Sequence, residues 1–173
     1  MTRPLAPVPL PDDMAMAIGH AVSAFGFLEE ALKRAIFSLT RQGLGADAGD
    51  KALRQWLRRM EDIADDTLGT LIDSFVAAMK TAAIPDHHNL AQDLRTIRLA
   101  RNLLCHASWR PGQEPGRWHP TFVSAQGERH PGDMDAASVM AIHTDTLAAA
   151  GLVLDIMAQT GIPGEWAGSS DPP

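Results

Sequence analysis

The stretch Arg101-Asn102-Leu103-Leu104-Cys105-His106 lies near the end of a predicted helix. Apolar residues recur at helical spacing at Leu90, Leu94, Ile97, Ala100 and Leu104. Asp86 follows Pro85 and can cap the first turn, whereas Pro111-Gly112 cannot continue a helix. The pattern therefore predicts a helix that begins near Asp86 and is stopped by Pro111-Gly112.

Polar side chains fall on the side of this helix opposite its apolar residues, because each residue advances the helix by roughly 100°. They are Arg95, Arg98, Asn102 and His106. Arg101 falls at the margin of the apolar side, where a guanidinium needs a carboxylate, a carbonyl or a ligand as its partner. One helix end thus offers a fixed cation, an amide and an imidazole.

These three groups suit phosphodiester chemistry. An arginine can hold a phosphate through two parallel hydrogen bonds and stays charged at any relevant pH. A histidine can accept or donate a proton near neutral pH. On RNA, a base that removes the 2′-OH proton turns that oxygen into an internal nucleophile, and this attack needs no metal.

The hexapeptide resembles the R-x4–6-H signature of HEPN-domain ribonucleases, in which a polar residue commonly follows the arginine. A second likeness is the segment Phe25-Gly26-Phe27-Leu28-Glu29-Glu30-Ala31-Leu32, since many HEPN chains carry an aromatic-x-x-Leu-Glu pattern on their first long helix. The resemblance covers roughly residues 13 to 160. It implies an all-α fold: a four-to-five-helix up-and-down bundle with a short hairpin or ordered loop between the last two helices.

The resemblance also implies a function. HEPN domains form symmetric homodimers in which two motifs meet at the dimer axis, so each subunit contributes one Arg and one His to a composite site. Arg101 carries over as the phosphate-binding cation, Asn102 as a polar helper and His106 as the acid/base. The expected reaction is metal-independent endonucleolytic cleavage of RNA without a cofactor, giving a 2′,3′-cyclic phosphate and a 5′-hydroxyl. A role as a toxin or defence effector, with a cognate antitoxin or regulator as partner, rests on this analogy alone.

One position departs from a toxin branch of the family, which has a tyrosine two residues after the motif histidine. Ser108 stands there, and the chain contains no tyrosine. Control by tyrosine modification is therefore not expected. The alternative to catalysis is that Arg101 is structural and that His106 is favoured at its helix end by the dipole.

Other functions fit the residues less well. A HEPN-like dimer that holds RNA, a nucleotide or a protein without turnover is the main alternative. A metal site of the di-iron bundle type needs Glu-x-x-His pairs, and no Glu in the chain is followed three residues later by His. Cys105 adjoins His106, but adjacent helix residues diverge, so the sequence favours a buried or interfacial thiol over a nucleophile.

Charge is unevenly distributed. The net charge of −6 argues against indiscriminate nucleic-acid binding. Four arginines nevertheless surround the motif and are the candidate RNA-binding residues: Arg95, Arg98, Arg110 and Arg117. Glu29 and Glu30, in the middle of the first helix, are candidate ion-pair partners for Arg101, with a surface pair between Glu30 and Arg34 as the alternative.

Length and composition predict one globular domain. The chain has 173 residues, of which 45% are hydrophobic, and its single cysteine excludes an internal disulfide. No membrane span or signal segment was evident, so a cytoplasmic location is expected. Residues 1–12 are predicted to be a Pro-rich arm, residues 13–160 the helical domain and residues 161–173 a flexible tail.

Three further helices and a hairpin complete the prediction. The first helix is expected over residues 13–41, the second over 51–81 with a bend at Gly69, and the last over 135–160. Leu147 is among the residues expected to face inward from the last helix. Residues 117–124 alternate weakly and Gly127 offers a turn, which favours a hairpin or ordered loop. The sequence leaves the roles of His87, His88, His119 and His130 open.

Overall fold

A computed structural model describes residues 8–45, 47–86, 89–122 and 132–162. These residues form five helices and one two-stranded sheet, so the predicted all-α bundle is confirmed. The elements are α1 (Asp12–Leu44), α2 (Asp50–Ala64), α3 (Leu68–Thr81), α4 (Leu90–His106), β1 (Ser108–Pro111), β2 (Trp118–Thr121) and α5 (Ala136–Gln159). The histidines at 87, 88 and 130, Gly127, most of the N-terminal arm and residues 163–173 lie outside the described residues.

The two longest helices, α1 and α5, run parallel and build the centre of the fold. The rings of His20 and His143 lie 5.8 Å apart, and further along the Ser38 hydroxyl donates to the Ile162 carbonyl at 3.2 Å. The sequence separation of both pairs is nearly equal, which only parallel helices allow. The largest fully buried side chains come from α1, α3, α4 and α5: Met14, Leu28, Leu32, Ile36, Leu71, Ile72, Phe75, Leu90, Leu94, Val139 and Val153.

The predicted second helix is in fact two helices, so that prediction was wrong. α2 ends at Ala64, and the N–H groups of Asp65 and Asp66 turn back to the carbonyls of Asp62 and Ile63. The Thr67 side chain then caps α3 by accepting the Thr70 N–H at 3.4 Å. Short polar side chains favour caps over helix interiors, which explains the break here. Gly69 lies in the first turn of α3, so the predicted bend at this residue is instead a break between two helices, which precedes it.

α4 is shorter than predicted at both ends. It begins at Leu90, and the Asp86 carboxylate still accepts the Ala91 N–H at 3.2 Å. It ends at His106, because Ala107 adopts an extended conformation and the chain enters β1. Pro111 therefore belongs to a strand and does not stop the helix.

The hairpin lies earlier in the chain than the sequence indicated. β1 and β2 pair antiparallel, with Ser108 opposite Thr121 and Arg110 opposite His119. Trp118 exchanges backbone hydrogen bonds with Met134, two residues before α5 begins. The end of α4, the hairpin and the start of α5 consequently share one end of the bundle, and so does the start of α1, which runs parallel to α5.

The last helix departs from two expectations. α5 is long and apolar enough to cross a membrane by length and composition, with a mean hydropathy of 1.4, although core helices of soluble proteins meet the same criterion. It packs along α1, and 28% of its most apolar window is buried within the described chain. Leu147 was predicted to face inward but is 40% exposed.

Candidate active site

The polar side of α4 carries most of the predicted site residues. Arg95 and His106 are exposed, and Arg98 and Asn102 are half-buried. Spacings of three and four residues put these side chains in one row along the helix. The opposite side of α4 is buried in the core through Leu90, Leu94, Ile97 and Leu104. The amphipathic helix expected from the sequence is therefore present, with its polar row facing outward.

Arg101 has one polar contact among the described residues. Its Nη1 donates to the Asn102 Oδ1 at 3.5 Å, the limit of a hydrogen bond. Glu30 instead accepts from Arg34 at 2.6 Å, which is the alternative pairing considered above, and Glu29 is half-buried without a recorded partner. A guanidinium has five N–H donors, so most of those on Arg101 have no acceptor within the described chain.

His106 is the last residue of α4 and is exposed. Its ring stacks on Phe122, with the ring centroids 6.2 Å apart and the planes 24° from parallel. Phe122 is itself partly buried against the core. The imidazole thus lies near one partly buried aromatic ring, and its nitrogens make no hydrogen bond to the described residues.

Arg98 anchors the row to the neighbouring helix. A Cβ placed on Gly69, in the first turn of α3, would lie 3.2 Å from the Arg98 Cδ. The Arg98 Nε is buried without a hydrogen-bond partner among the described residues. The aliphatic part of this side chain therefore packs between α3 and α4, as long basic side chains often do.

The other two candidate arginines lie on the hairpin. Arg110 is half-buried and sits directly across the ladder from His119. Arg117 donates to the Asp135 carboxylate at 3.2 Å and to the Asp133 carbonyl at 2.7 Å. Its guanidinium holds the hairpin to the start of α5, so its geometry is that of a structural residue.

Sequence reasoning missed a histidine–carboxylate pair on the same hairpin. The His119 Nδ1 lies 2.9 Å from the Asp133 Oδ1. The other carboxylate oxygen accepts the Gln113 N–H at 2.9 Å, and a Cβ on Gly112 would come within 2.3 Å of it. His119 and Asp133 are 14 residues apart and belong to different segments, so no sequence spacing indicated the pair.

The ionisation of Asp133 determines which ring nitrogen of a neutral His119 carries the hydrogen. The Gln113 N–H and, next, His119 lower the pKa of Asp133 from its ordinary value of 3.8. Asp133 is therefore ionised at neutral pH and can only accept, so Nδ1 of a neutral His119 carries the hydrogen and Nε2 is left as the acceptor. We call Arg117, His119, Asp133 and Asp135 the hairpin clamp.

The second carboxylate of the hairpin clamp caps α5. The Asp135 Oδ1 accepts both the hydroxyl and the backbone N–H of Ser138, at 2.6 and 2.8 Å. These bonds, the hydroxyl first, lower the pKa of Asp135 from its ordinary value of 3.8. Like Asp133, it is a partnered carboxylate whose charged form stabilises the fold.

Two other groups bear on the chemistry available here. The Cys105 thiol is exposed in the single chain, so it is not the buried thiol that was one of the two expectations; an interfacial thiol stays a prediction. The described residues contain no group of three or more His, Cys, Asp and Glu side chains placed to hold a metal ion.

Comparisons with protein-family models, with curated proteins and with solved structures found no match to this chain.

Proposed function

We propose that this protein is a metal-independent endoribonuclease in which two copies of the chain form one composite site. The proposal is carried by one observation: α4 ends in an exposed imidazole, His106, and carries five residues earlier a half-buried guanidinium, Arg101, whose single described contact is long. A charge left with so little internal pairing is suited to an anionic ligand. The resemblance to HEPN ribonucleases supplies the class of ligand and reaction.

In the proposed reaction Arg101 binds the non-bridging oxygens of one phosphodiester. His106 of one copy takes the proton from the adjacent 2′-OH, and the resulting oxygen attacks phosphorus. The bond to the 5′-oxygen breaks, and that oxygen receives a proton from His106 of the other copy. The products are a 2′,3′-cyclic phosphate and a 5′-hydroxyl. Asn102 orients Arg101 through its Oδ1.

Neighbouring basic residues extend the site along the RNA. Arg95 and Arg98 lie on the same row of α4, and Arg110 lies on the strand that follows His106. Contacts of this kind to phosphates fix the position of the strand without reading its bases. Arg117 is left out of this set because its donors are used in the hairpin clamp.

The test is RNA cleavage in EDTA by the intact chain and by Arg101→Ala and His106→Ala. Arg58→Ala is the matched control, since Arg58 is an exposed arginine on α2. We expect cyclic-phosphate products from the parent and the control, and a loss of about 10²–10⁴-fold for each site variant. A requirement for a divalent metal, or site variants that cleave normally, would refute the proposal.

The same experiment tests the binding alternative. RNA that is retained without cyclic-phosphate products identifies a binding module, in which Arg101 contributes to affinity and His106 contributes little. The cellular setting is part of the proposal and follows the family resemblance alone: a cytoplasmic toxin or defence effector, restrained by a cognate antitoxin or regulator.

A further inference from the structure

Two histidines face each other between α1 and α5. The rings of His20 and His143 lie 5.8 Å apart, and their planes are inclined at 65°. Neither ring makes a hydrogen bond to the described residues. His20 is exposed, whereas His143 is half-buried and its Nδ1 is shielded from solvent. Neither the proposed nuclease site nor the hairpin clamp uses this pair.

The shielded Nδ1 of His143 lacks the partner that a ring nitrogen needs. A neutral imidazole has one N–H donor and one acceptor nitrogen, and burial without a partner removes the hydrogen bond that water supplies in the unfolded chain. Buried polar atoms of folded proteins nearly always have a partner, which can be a water or an ion. The unpaired Nδ1 therefore points to a small ligand between the two helices.

The spacing of the two rings suits a shared metal ion. A metal bound to an imidazole lies about 2 Å from the nitrogen and roughly 3 Å from the ring centre, so two rings on one ion have centres up to about 6 Å apart. The observed separation of 5.8 Å is within that reach. Because His20 is exposed, its ring can rotate about its side-chain bonds and direct a nitrogen at the ion.

A methionine accompanies each histidine. Met16 precedes His20 by four residues and Met140 precedes His143 by three, so each methionine neighbours its histidine on the helix surface. Residues whose numbers differ by 123 or 124 lie level on these parallel helices, and Met16 and Met140 differ by 124. Met16 is 60% exposed and Met140 is partly buried. Since a methionine side chain has three rotatable bonds, both sulfur atoms can reach an ion held by the histidines.

This set of donor atoms selects copper. Imidazole nitrogens bind zinc, copper, iron and nickel, whereas the soft thioether sulfur favours copper(I). Zinc sites in proteins use thiolate, imidazole and carboxylate groups. Among the described residues no three His, Cys, Asp and Glu side chains are placed to hold a metal ion, so no carboxylate or thiol completes a zinc site at this pair. Copper(I) is the ion that accepts both kinds of donor found here.

We propose that Met16, His20, Met140 and His143 form a binding site for a copper(I) ion between α1 and α5. The Nδ1 of His143 and one ring nitrogen of His20 bind the ion, and the two thioether sulfurs complete its coordination. The site joins the two longest helices, so bound copper(I) stabilises the folded chain. The proposal is independent of the ribonuclease proposal, because none of its four residues lies on α4.

The test is competition for copper(I) between the full chain and a chromophoric copper(I) chelator, without oxygen and in a Cys105→Ser background. The background removes the exposed thiol, which would itself bind copper(I). We expect the chain to retain one ion. We expect Met16→Leu and His20→Asn each to raise the dissociation constant by at least the roughly 10–100-fold that substitution of an outer-shell partner costs. Both residues are exposed, so these variants are expected to fold.

Met157→Leu is the matched control. Met157 lies on α5 like Met140 and is also partly buried, but it is near the opposite end of that helix. Its copper(I) affinity should equal that of the background chain. His143→Asn is a further variant, expected to lose copper(I) binding while circular dichroism confirms that the helices remain.

X-ray absorption at the copper edge tests the donor atoms directly. The background chain is expected to show both nitrogen and sulfur neighbours around copper(I), and the double variant Met16→Leu/Met140→Leu nitrogen neighbours alone. Neither measurement uses RNA, so the copper site and the nuclease activity can fail separately.

Several results would overturn the copper site. They are a background chain that yields all its copper(I) to the chelator, a copper ion without sulfur neighbours, and Met16→Leu and His20→Asn variants that retain copper(I) like the background. Zinc bound as tightly as copper(I), with no loss of affinity in Met16→Leu, would refute the role of the methionines and with it the choice of copper.

Discussion

The hairpin and the end of α4 are neighbours in the chain but differ in how their polar groups are paired. In the hairpin clamp, Arg117, Asp133 and Asp135 all have hydrogen-bond partners at 3.2 Å or less, and His119 shares Asp133 at 2.9 Å. At the end of α4, Arg101 has one contact at 3.5 Å and His106 is held by stacking.

This difference separates two uses of the same residue types. A polar group whose partners lie within the chain contributes to the folded state, and its removal leaves those partners unsatisfied. A polar group with few internal partners contributes little to stability and stays available to a ligand. We therefore expect substitutions in the clamp to change stability and substitutions at the end of α4 to change activity.

The largest expected difference is between substitutions of the two histidines, His106 and His119. His106→Asn is expected to reduce RNA cleavage in EDTA by about 10²–10⁴-fold, the usual contribution of a general acid or base. His119→Asn is expected to leave the rate per folded molecule nearly unchanged, because asparagine can still donate to Asp133. Single-turnover cleavage of a short RNA measures both. Equal losses for the two variants would mean that the clamp belongs to the active site.

The two arginines give the next largest contrast. Arg101→Lys keeps the charge but loses the planar two-point grip on phosphate, which predicts a fall of about 10–100-fold in cleavage with an unchanged free energy of unfolding. Arg117→Lys is expected to lower the free energy of unfolding and to spare cleavage. Urea unfolding followed by circular dichroism, with cleavage assays in parallel, tests the pair. An Arg101→Lys variant that unfolds at lower urea concentration than Arg117→Lys would contradict the assignment of Arg117 to stability and Arg101 to activity.

Gly112 tests the clamp through its packing. A Cβ at this position would meet the Asp133 carboxylate at 2.3 Å and the Arg117 carbonyl at 2.9 Å. Gly112→Ala is therefore expected to lower the free energy of unfolding by about 1–3 kcal/mol, as overpacked sites do. Gly43→Ala, where a Cβ meets no described atom within 4 Å, is the control and should not be destabilised. Matching unfolding curves for the two variants would contradict the observed packing.

The smallest expected effect is on acid stability. Because the pKa values of Asp133 and Asp135 are lowered in the folded state, their ionisation stabilises the fold above the ordinary pKa of 3.8. That stabilisation is lost as the pH falls below 3.8 through the lower folded values. Asp133→Asn should therefore show a weaker fall in stability between pH 5 and pH 3 than the parent, measured by urea unfolding at each pH. A parental pH profile in this variant would argue against the lowered pKa.

The sequence predicted the elements whose side chains are periodic over many turns. α1 and α5 were placed to within a few residues, because their apolar positions repeat over six or more turns. The break between α2 and α3 was missed because apolar residues continue in phase across it. The local signal was Thr67, a helix-capping residue placed directly before the apolar stretch of α3.

The sequence predicted which candidate site residues lie in one row on α4. It did not predict which residues are their hydrogen-bond partners or those of the neighbouring hairpin. Helical spacing placed Arg95, Arg98, Asn102 and His106 on one side of α4, as the structure has them. The partners of Arg117 and His119 come from Asp133 and Asp135, which are 14 to 18 residues away along the chain. Such pairings depend on how the hairpin packs against the start of α5, and no local sequence pattern predicts that packing.

The pairing of the first helix with the last also governs how the protein is made. Ser38 of α1 meets Ile162, a residue 124 positions later, so the part of α1 that packs on α5 has no native cover until α5 has been synthesised. At about 5–20 residues per second, this interval lasts roughly 6–25 s. During that time α1 can pack on α2, α3 and α4 but lacks its most extensive neighbour, and a ribosome that stalls before α5 releases a product unable to complete its core.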